Sequence, residues 1–218
     1  MNRDFWQARW DEGRIGFHQE QFNPHLQRYW SGLGVEAGAT VFVPLCGKSR
    51  DMLWLRDQGY SVIGVEIVQR AAESFFAENG MIPISHEYGD FILYESEGIK
   101  IYQGDFFDLN GEDVAGISAV YDRASLIALP PIMRQRYVAH LSTILPGNRM
   151  VLLVTLDYPQ VEMEGPPFAV TEKEVMALYH DSFEIVGVNS EDVLADNLRF
   201  QEQGISRLYE KVYVLRAR

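Results

Sequence analysis

The residues best suited to chemistry in this chain stand at the ends of short apolar runs. Glu66 closes Tyr60-Ser61-Val62-Ile63-Gly64-Val65, Asp105 follows Tyr102-Gln103-Gly104, and Asp122-Arg123 follow Ile117 to Tyr121. A carboxylate accepts hydrogen bonds, so it suits vicinal sugar hydroxyls or an exocyclic amino group. A guanidinium holds a carboxylate through paired donors, unless its own neighbour Asp122 already occupies it. Phe106, next to Asp105, offers an apolar wall and a backbone amide. Taken singly, each acid reads most simply as a solvated residue after a strand. Three strand ends in succession read differently, because ligands of doubly wound sheets bind outside the carboxyl ends of the strands.

The elements that must hold these groups centre on residues 41–66. Val41-Phe42-Val43 is a buried strand, and Pro44 with Gly47 breaks it into a turn. Ser49 is expected to cap a helix running through Gln58 and ended by Gly59; a second β-branched strand then closes on Glu66, 19 residues beyond Gly47. This βαβ geometry points to an adenosine-containing cofactor, with the acid on the ribose. Three readings compete at residues 44–49. Gly47-Lys48-Ser49 matches the end of a phosphate-binding P-loop, but Phe42 stands where that loop needs glycine. A dinucleotide site wants three glycines where one is present. S-adenosylmethionine carries no phosphate, so an open turn with one glycine and a ribose-binding acid can suffice.

Composition narrows the class. With 218 residues, 47% hydrophobic and 23% charged, the chain is expected to be one globular domain. A net charge of −12, with no run among the 19 basic residues, argues against nucleic acid as a partner. The single cysteine, Cys46, rules out an intrachain disulfide and suits a reducing cytoplasm. It reads as a small buried residue rather than a nucleophile, since no histidine is expected beside it. The five histidines are scattered, so no metal site is expected. Met150 to Val154 is far shorter than the ~20 residues needed to span a bilayer, and Met1 to Trp6 has no signal-like apolar core.

Along the rest of the chain, residues 4–12 read as a short helix, with Trp6 and Trp10 four apart on one face. That pair either packs on the body or covers a site. Asn23-Pro24 opens a second helix through Gly32, and Val68 to Asn79 a further one stopped by Gly80. A hairpin is expected across Phe91–Tyr94 and Ile99–Tyr102. Pro130-Pro131 precedes a long helix terminated by Pro146-Gly147, and Thr171-Glu172-Lys173-Glu174 is a capping box. Phe183–Val188 and Leu208–Leu215 read as closing strands, antiparallel to each other. The expectation is an α/β fold: a doubly wound, seven-stranded, mostly parallel sheet.

These residues resemble the thiopurine S-methyltransferase family, in its bacterial form. The likeness lies in Phe5-Trp6-x3-Trp10, Gly16-Phe17-His18-Gln19, Val43-Pro44-Leu45-Cys46-Gly47-Lys48-Ser49, Gly64-Val65-Glu66, Tyr121-Asp122-Arg123 and Gly165-Pro166-Pro167-Phe168. It spans nearly the whole chain and implies a class I, Rossmann-like methyltransferase domain over residues 1–218, with residues 1–35 as a helical lid. S-adenosyl-L-methionine is the implied cofactor and S-adenosyl-L-homocysteine the product. Carried over by position, Trp10 lies over the cofactor, Leu45 meets its methionyl side through backbone, and Glu66 takes the ribose. Asp105 and Phe106 hold the adenine positions, and Arg123 lies near the methionine end. Phe17 matches a substrate-contacting aromatic and Arg199 a substrate-side arginine. The implied acceptors are thiopurines and aromatic or heterocyclic thiols, with selenium and tellurium species also methylated in bacterial members. No catalytic residue is assigned. An O- or N-methyltransferase would want a general base, for which His18 or Asp105 would have to serve. A non-catalytic module binding S-adenosylmethionine is the other alternative. A cytoplasmic monomer without membrane attachment completes the expectation.

Overall fold

A computed structural model describes residues 3–145 and 147–218. The helix stop expected at Pro146 lies outside them. Two compact units are distinguished, the first ending at Tyr121 and the second running from Asp122 to Arg218.

The first unit opens with helix α1 (Arg3–Asp11) and α2 (Pro24–Tyr29), followed by a 3-10 turn, Trp30–Leu33. Strand β1 (Thr40–Val43), α3 (Asp51–Asp57), β2 (Ser61–Glu66) and α4 (Gln69–Glu78) then form the expected βαβα run. A meander of β3 (Ile84–Tyr88), β4 (Phe91–Ser96) and β5 (Ile99–Gln103) leads to β6 (Ile117–Arg123). The hydrogen-bonded order is β3-β4-β5-β2-β1-β6. Strands β5, β2, β1 and β6 are parallel, whereas β3 and β4 pair antiparallel at the edge. β1 therefore has its successor β2 on one side and β6 on the other. That reversal is the topological switch point, and it places the crevice at the carboxyl end of β1.

Local chemistry explains the entry points. Asn23 caps α2 by accepting from the amides of His25 and Leu26. Its own amide donates to Asp51 Oδ1 at 2.8 Å, and the other oxygen of Asp51 accepts from Tyr121 at 2.9 Å. One buried carboxylate thus ties the leader to α3 and β6. Trp30 packs edge-on against Tyr60 and Tyr121, so the α2 segment is anchored in the core. Helix α3 begins two residues after Ser49, whose hydroxyl accepts from the amide of Asp51 and so closes a preceding turn instead of capping the helix.

In the second unit, α5 (Ser125–Ala128) and α6 (Pro131–Ile144) precede β7 (Met150–Asp157), α7 (Glu172–Tyr179), β8 (Phe183–Asp192), α8 (Leu198–Glu202) and β9 (Tyr209–Ala217). β9 pairs antiparallel with both β7 and β8. Thr171 caps α7 through the amide of Glu174, as the capping box predicted. The α/β expectation holds, with nine strands among the described residues in place of seven; the runs read from sequence account for eight of them. β3 is the strand absent from the sequence reading: every one of its residues is exposed, so it lacks the buried alternation that marks a strand.

Candidate active site

The turn at the end of β1 is built on unusual backbone. Leu45 sits at φ +46° and Gly47 at φ +54°. For a leucine this left-handed conformation costs about 1 kcal/mol or more, and such residues concentrate at functional sites. The turn is tied to β2: the Cys46 amide donates to Val65 O at 3.0 Å. Gly64 permits this approach, because a Cβ there would lie 2.7 Å from Cys46 Sγ. Cys46 is buried, and burial followed by the charge of Glu66 pushes its thiol well above the usual range, which leaves no thiolate for covalent chemistry.

Glu66 lies at the centre. Its Oε2 accepts from the Gly47 amide at 2.9 Å and its Oε1 from the Val68 amide at 2.8 Å. The carboxylate joins the β1 turn to the start of α4, where the Ile67 amide also contributes, and its four lone-pair directions are not all taken. Burial pushes its pKa up to about 7, against the pull of those amides. Beside it in register stands Gln103, buried at the end of β5, with Nε2 donating to Ile67 O at 3.1 Å. Sequence reasoning passed over Gln103; its place just before Gly104-Asp105 is the signal that could have found it.

Asp105 uses Oδ1 to accept from the Phe107 amide at 3.0 Å and caps the 3-10 turn Phe106–Asp108. Phe106 is only 2% exposed and packs as core beneath this turn. Trp10 is buried against Val68 and Ala71 of the α4 start, with Trp6, Ile15 and Phe17 packed around it. Its ring centroid lies 5.9 Å from that of Phe17. A Cβ on Gly47 would sit 3.6 Å from the Trp10 ring, so this ring covers the turn beside Glu66. Trp10, Phe17, Leu45, Glu66, Asp105 and Phe106 thus all belong to the first unit, and Trp10, Gly47 and Glu66 are brought together.

Lys48 donates to both oxygens of Glu78 at 2.8 Å. The ammonium that a P-loop would aim at phosphate is already neutralised within the fold.

Asp122 and Arg123 end β6, and their side chains diverge, as successive residues of a strand must. Asp122 is fully buried and accepts from the Tyr137 hydroxyl at 2.7 Å; burial raises its pKa to about 6. The half-buried guanidinium of Arg123 forms no hydrogen bond or ion pair among the described residues. The Asp122–Arg123 pairing considered from sequence is therefore not formed. Ala124 follows at φ +71°, a second non-glycine residue in the left-handed region. Arg199 lies in the second unit, exposed on α8. Among the described residues, no group of three or more His, Cys, Asp or Glu is placed to hold a metal ion, and no helix is long and apolar enough to cross a membrane.

Comparison with known proteins places this geometry. A solved S-adenosylmethionine-dependent methyltransferase from Anabaena variabilis superposes with a TM-score of 0.69, at 15% identity, over 100% of this chain and 96% of that one. The 1,6-didemethyltoxoflavin-N1-methyltransferase of Burkholderia thailandensis, solved with 1,6-didemethyltoxoflavin and S-adenosylhomocysteine, gives 0.65 at 18% identity over 97% and 86%. The fold is that of a class I methyltransferase. Residues 1–218 match the family described as thiopurine S-methyltransferase. A thiopurine S-methyltransferase of Nitrosospira multiformis is 52% identical over 100% of this chain and 99% of its own length, and one of Azotobacter vinelandii 49% identical over all of both. The chain belongs to the thiopurine S-methyltransferase family, and it is an enzyme of methyl transfer with S-adenosyl-L-methionine as donor.

Proposed function

We propose that this enzyme methylates the sulfur of thiopurines and of aromatic or heterocyclic thiols, with soft selenium and tellurium species as further acceptors. The observation that carries the cofactor side is Glu66: a buried carboxylate, fixed by two backbone amides at the switch point, with acceptor capacity left over. The donor set fits the cofactor. Glu66 would take the ribose hydroxyls, Asp105 and the Phe106 backbone the adenine, and the Leu45 turn the methionyl side. Arg123, at the end of β6, would meet the carboxylate, as it engages no group among the described residues. Residues 1–35 would close the site, with α1 and Trp10 as cover and α2, held by its buried His25 and Leu26, as anchor.

When bound, the cofactor supplies an electrophilic methyl group on a sulfonium. The protein's part is positional. A thiolate is a good nucleophile once ionised, so no strong base is required of the chain, and neither Cys46 nor a histidine is assigned one. Holding acceptor and donor in line while excluding water supplies roughly 7–11 kcal/mol where geometry is well fixed. Phe17 offers a flat face to a heterocycle and Arg199 a positive charge to an anionic one. A soluble monomer in the cytoplasm, with no nucleic-acid partner, is the proposed working state.

Calorimetric titration with S-adenosylmethionine, followed by turnover on thiol, phenol and amine acceptors, tests the reading. Binding with thiol turnover is expected. Preference for phenol or amine would overturn the sulfur assignment, and binding without product would leave only a cofactor-binding module.

A further inference from the structure

The peptide between Ile67 and Val68 is held at both ends. Its N–H is the Val68 amide that donates to Glu66 Oε1 at 2.8 Å, and its carbonyl accepts from Gln103 Nε2 at 3.1 Å. Gln103 closes β5, is 7% exposed and stands in register with Glu66 on the adjoining strand. The residue after it, Gly104, donates its amide to Glu66 O at 2.9 Å. Residues 103–104 thus supply donors to both carbonyls of the link from β2 to α4. Val68, at the head of α4, has no side-chain cap, so the entry to that helix depends on these bonds. The same link carries the cover: Val68 and Ala71 seat Trp10, and Ile67 packs against that cluster.

From this geometry we infer that Gln103 is a positioning residue for cofactor binding: by holding the Ile67 carbonyl it fixes the peptide whose N–H orients Glu66 for the ribose hydroxyls. A carbonyl only accepts, so the carboxamide turns its nitrogen to Ile67. A peptide is planar, so fixing the carbonyl at one end fixes the direction of the N–H at the other. Without Gln103 the carbonyl lacks its partner, and the peptide is free to rotate toward another one, which takes the Val68 amide off Glu66. Glu66 then keeps its Oε2 bond to the Gly47 amide and loses the fixed donor on Oε1. A carboxamide buried at a strand end must be desolvated, whereas packing alone is served there by an apolar side chain. The inference rests on the reading of Glu66 as the ribose acid, and every group in it belongs to the first unit.

Gln103→Met keeps the length of the side chain and removes the N–H. By calorimetry its S-adenosylmethionine Kd is expected to rise about fivefold, the usual effect of one lost hydrogen bond, with acceptor KM at saturating cofactor within about twofold of wild type. In the Glu66→Ala background the same substitution is expected to change Kd by less than about twofold, because residues acting through one group are not additive. Gln103→Asn, a methylene too short for Ile67, covers the case in which the methionine variant does not fold and is expected to behave alike. Where Glu66→Ala binds too weakly to titrate, amide exchange at Val68 decides, with a rate at least about tenfold faster expected in Gln103→Met. Equal losses of affinity in the two backgrounds would overturn the inference, since a cofactor contact of its own, or plain support of the fold, adds to the loss of Glu66. An unchanged Kd, or unchanged Val68 protection, in the folded variant would do the same. Glu66→Ala that binds as tightly as wild type would instead overturn the ribose reading beneath it.

Discussion

At the scale of single residues, Glu66 makes the sharpest predictions. Its pKa in the folded protein, about 7, lies above the 4.5 of an ordinary glutamate. The native state therefore holds the extra proton, so the group's contribution is complete below about pH 4.5 and is lost as pH rises through 7. The shift corresponds to about 3 kcal/mol. Relative to Glu66→Gln, the wild type should lose stability in urea between pH 5 and 8; parallel curves would show that burial does not perturb this carboxyl. Cofactor affinity should run the other way and weaken below pH 7, since a protonated carboxyl has less to offer two ribose hydroxyls. Glu66→Ala should weaken S-adenosylmethionine binding by at least ~1 kcal/mol by calorimetry, the usual cost of leaving buried donors unmet. Cys46→Ala, by contrast, should keep turnover within a few-fold, and loss of activity with cofactor binding intact would restore a chemical role for the thiol. Sequence alone proposes Glu66, Asp105 and Arg123 because each ends an apolar run. It marks Gln103 only by its place before Gly104-Asp105, since the pairing in register with Glu66 is not legible there, and it cannot tell whether Arg123 pairs with Asp122. That second point is decided by Tyr137, 15 residues away.

Among the elements, α1 and the β1 turn carry the argument. Trp10 holds α1 on Val68 and Ala71, and Asp11 adds an exposed ion pair with Arg70 at 3.4 Å, which contributes little. Trp10→Ala should strip amide-exchange protection from residues 4–11 and quicken cofactor dissociation at least tenfold, while β1 and β2 stay protected. If protection collapsed throughout, Trp10 would be core packing and nothing more. The caps were readable in advance: Asn23 and Thr171 act as their types and spacing predicted. Ser49 falls one residue before the observed N-cap, Arg50, because its hydroxyl closes a turn before α3, and sequence does not distinguish such turns from caps. Short helices α5 and α8 went unseen, being too brief for periodicity to register.

Considered as a whole molecule, the chain offers a mass of 24.9 kDa and a net charge of −12, and sedimentation equilibrium should return the single-chain mass at micromolar concentration. S-adenosylmethionine at a hundred times its Kd should add about 2.7 kcal/mol, raising the melting temperature by about 5–10 °C for a chain of this size. A thermal-shift titration without that response would contradict binding to the folded state. One consequence remains in the left-handed backbone at Leu45. Glycine would adopt that conformation freely, yet it would also enlarge the unfolded ensemble, so the two effects nearly offset. Leu45→Gly should therefore melt close to wild type but turn over more slowly. The leucine is retained, on that expectation, for the stiffness it gives the backbone that is to meet the cofactor, and any campaign to make this enzyme hardier by relaxing its awkward dihedrals would begin at the position where activity is most easily spoiled.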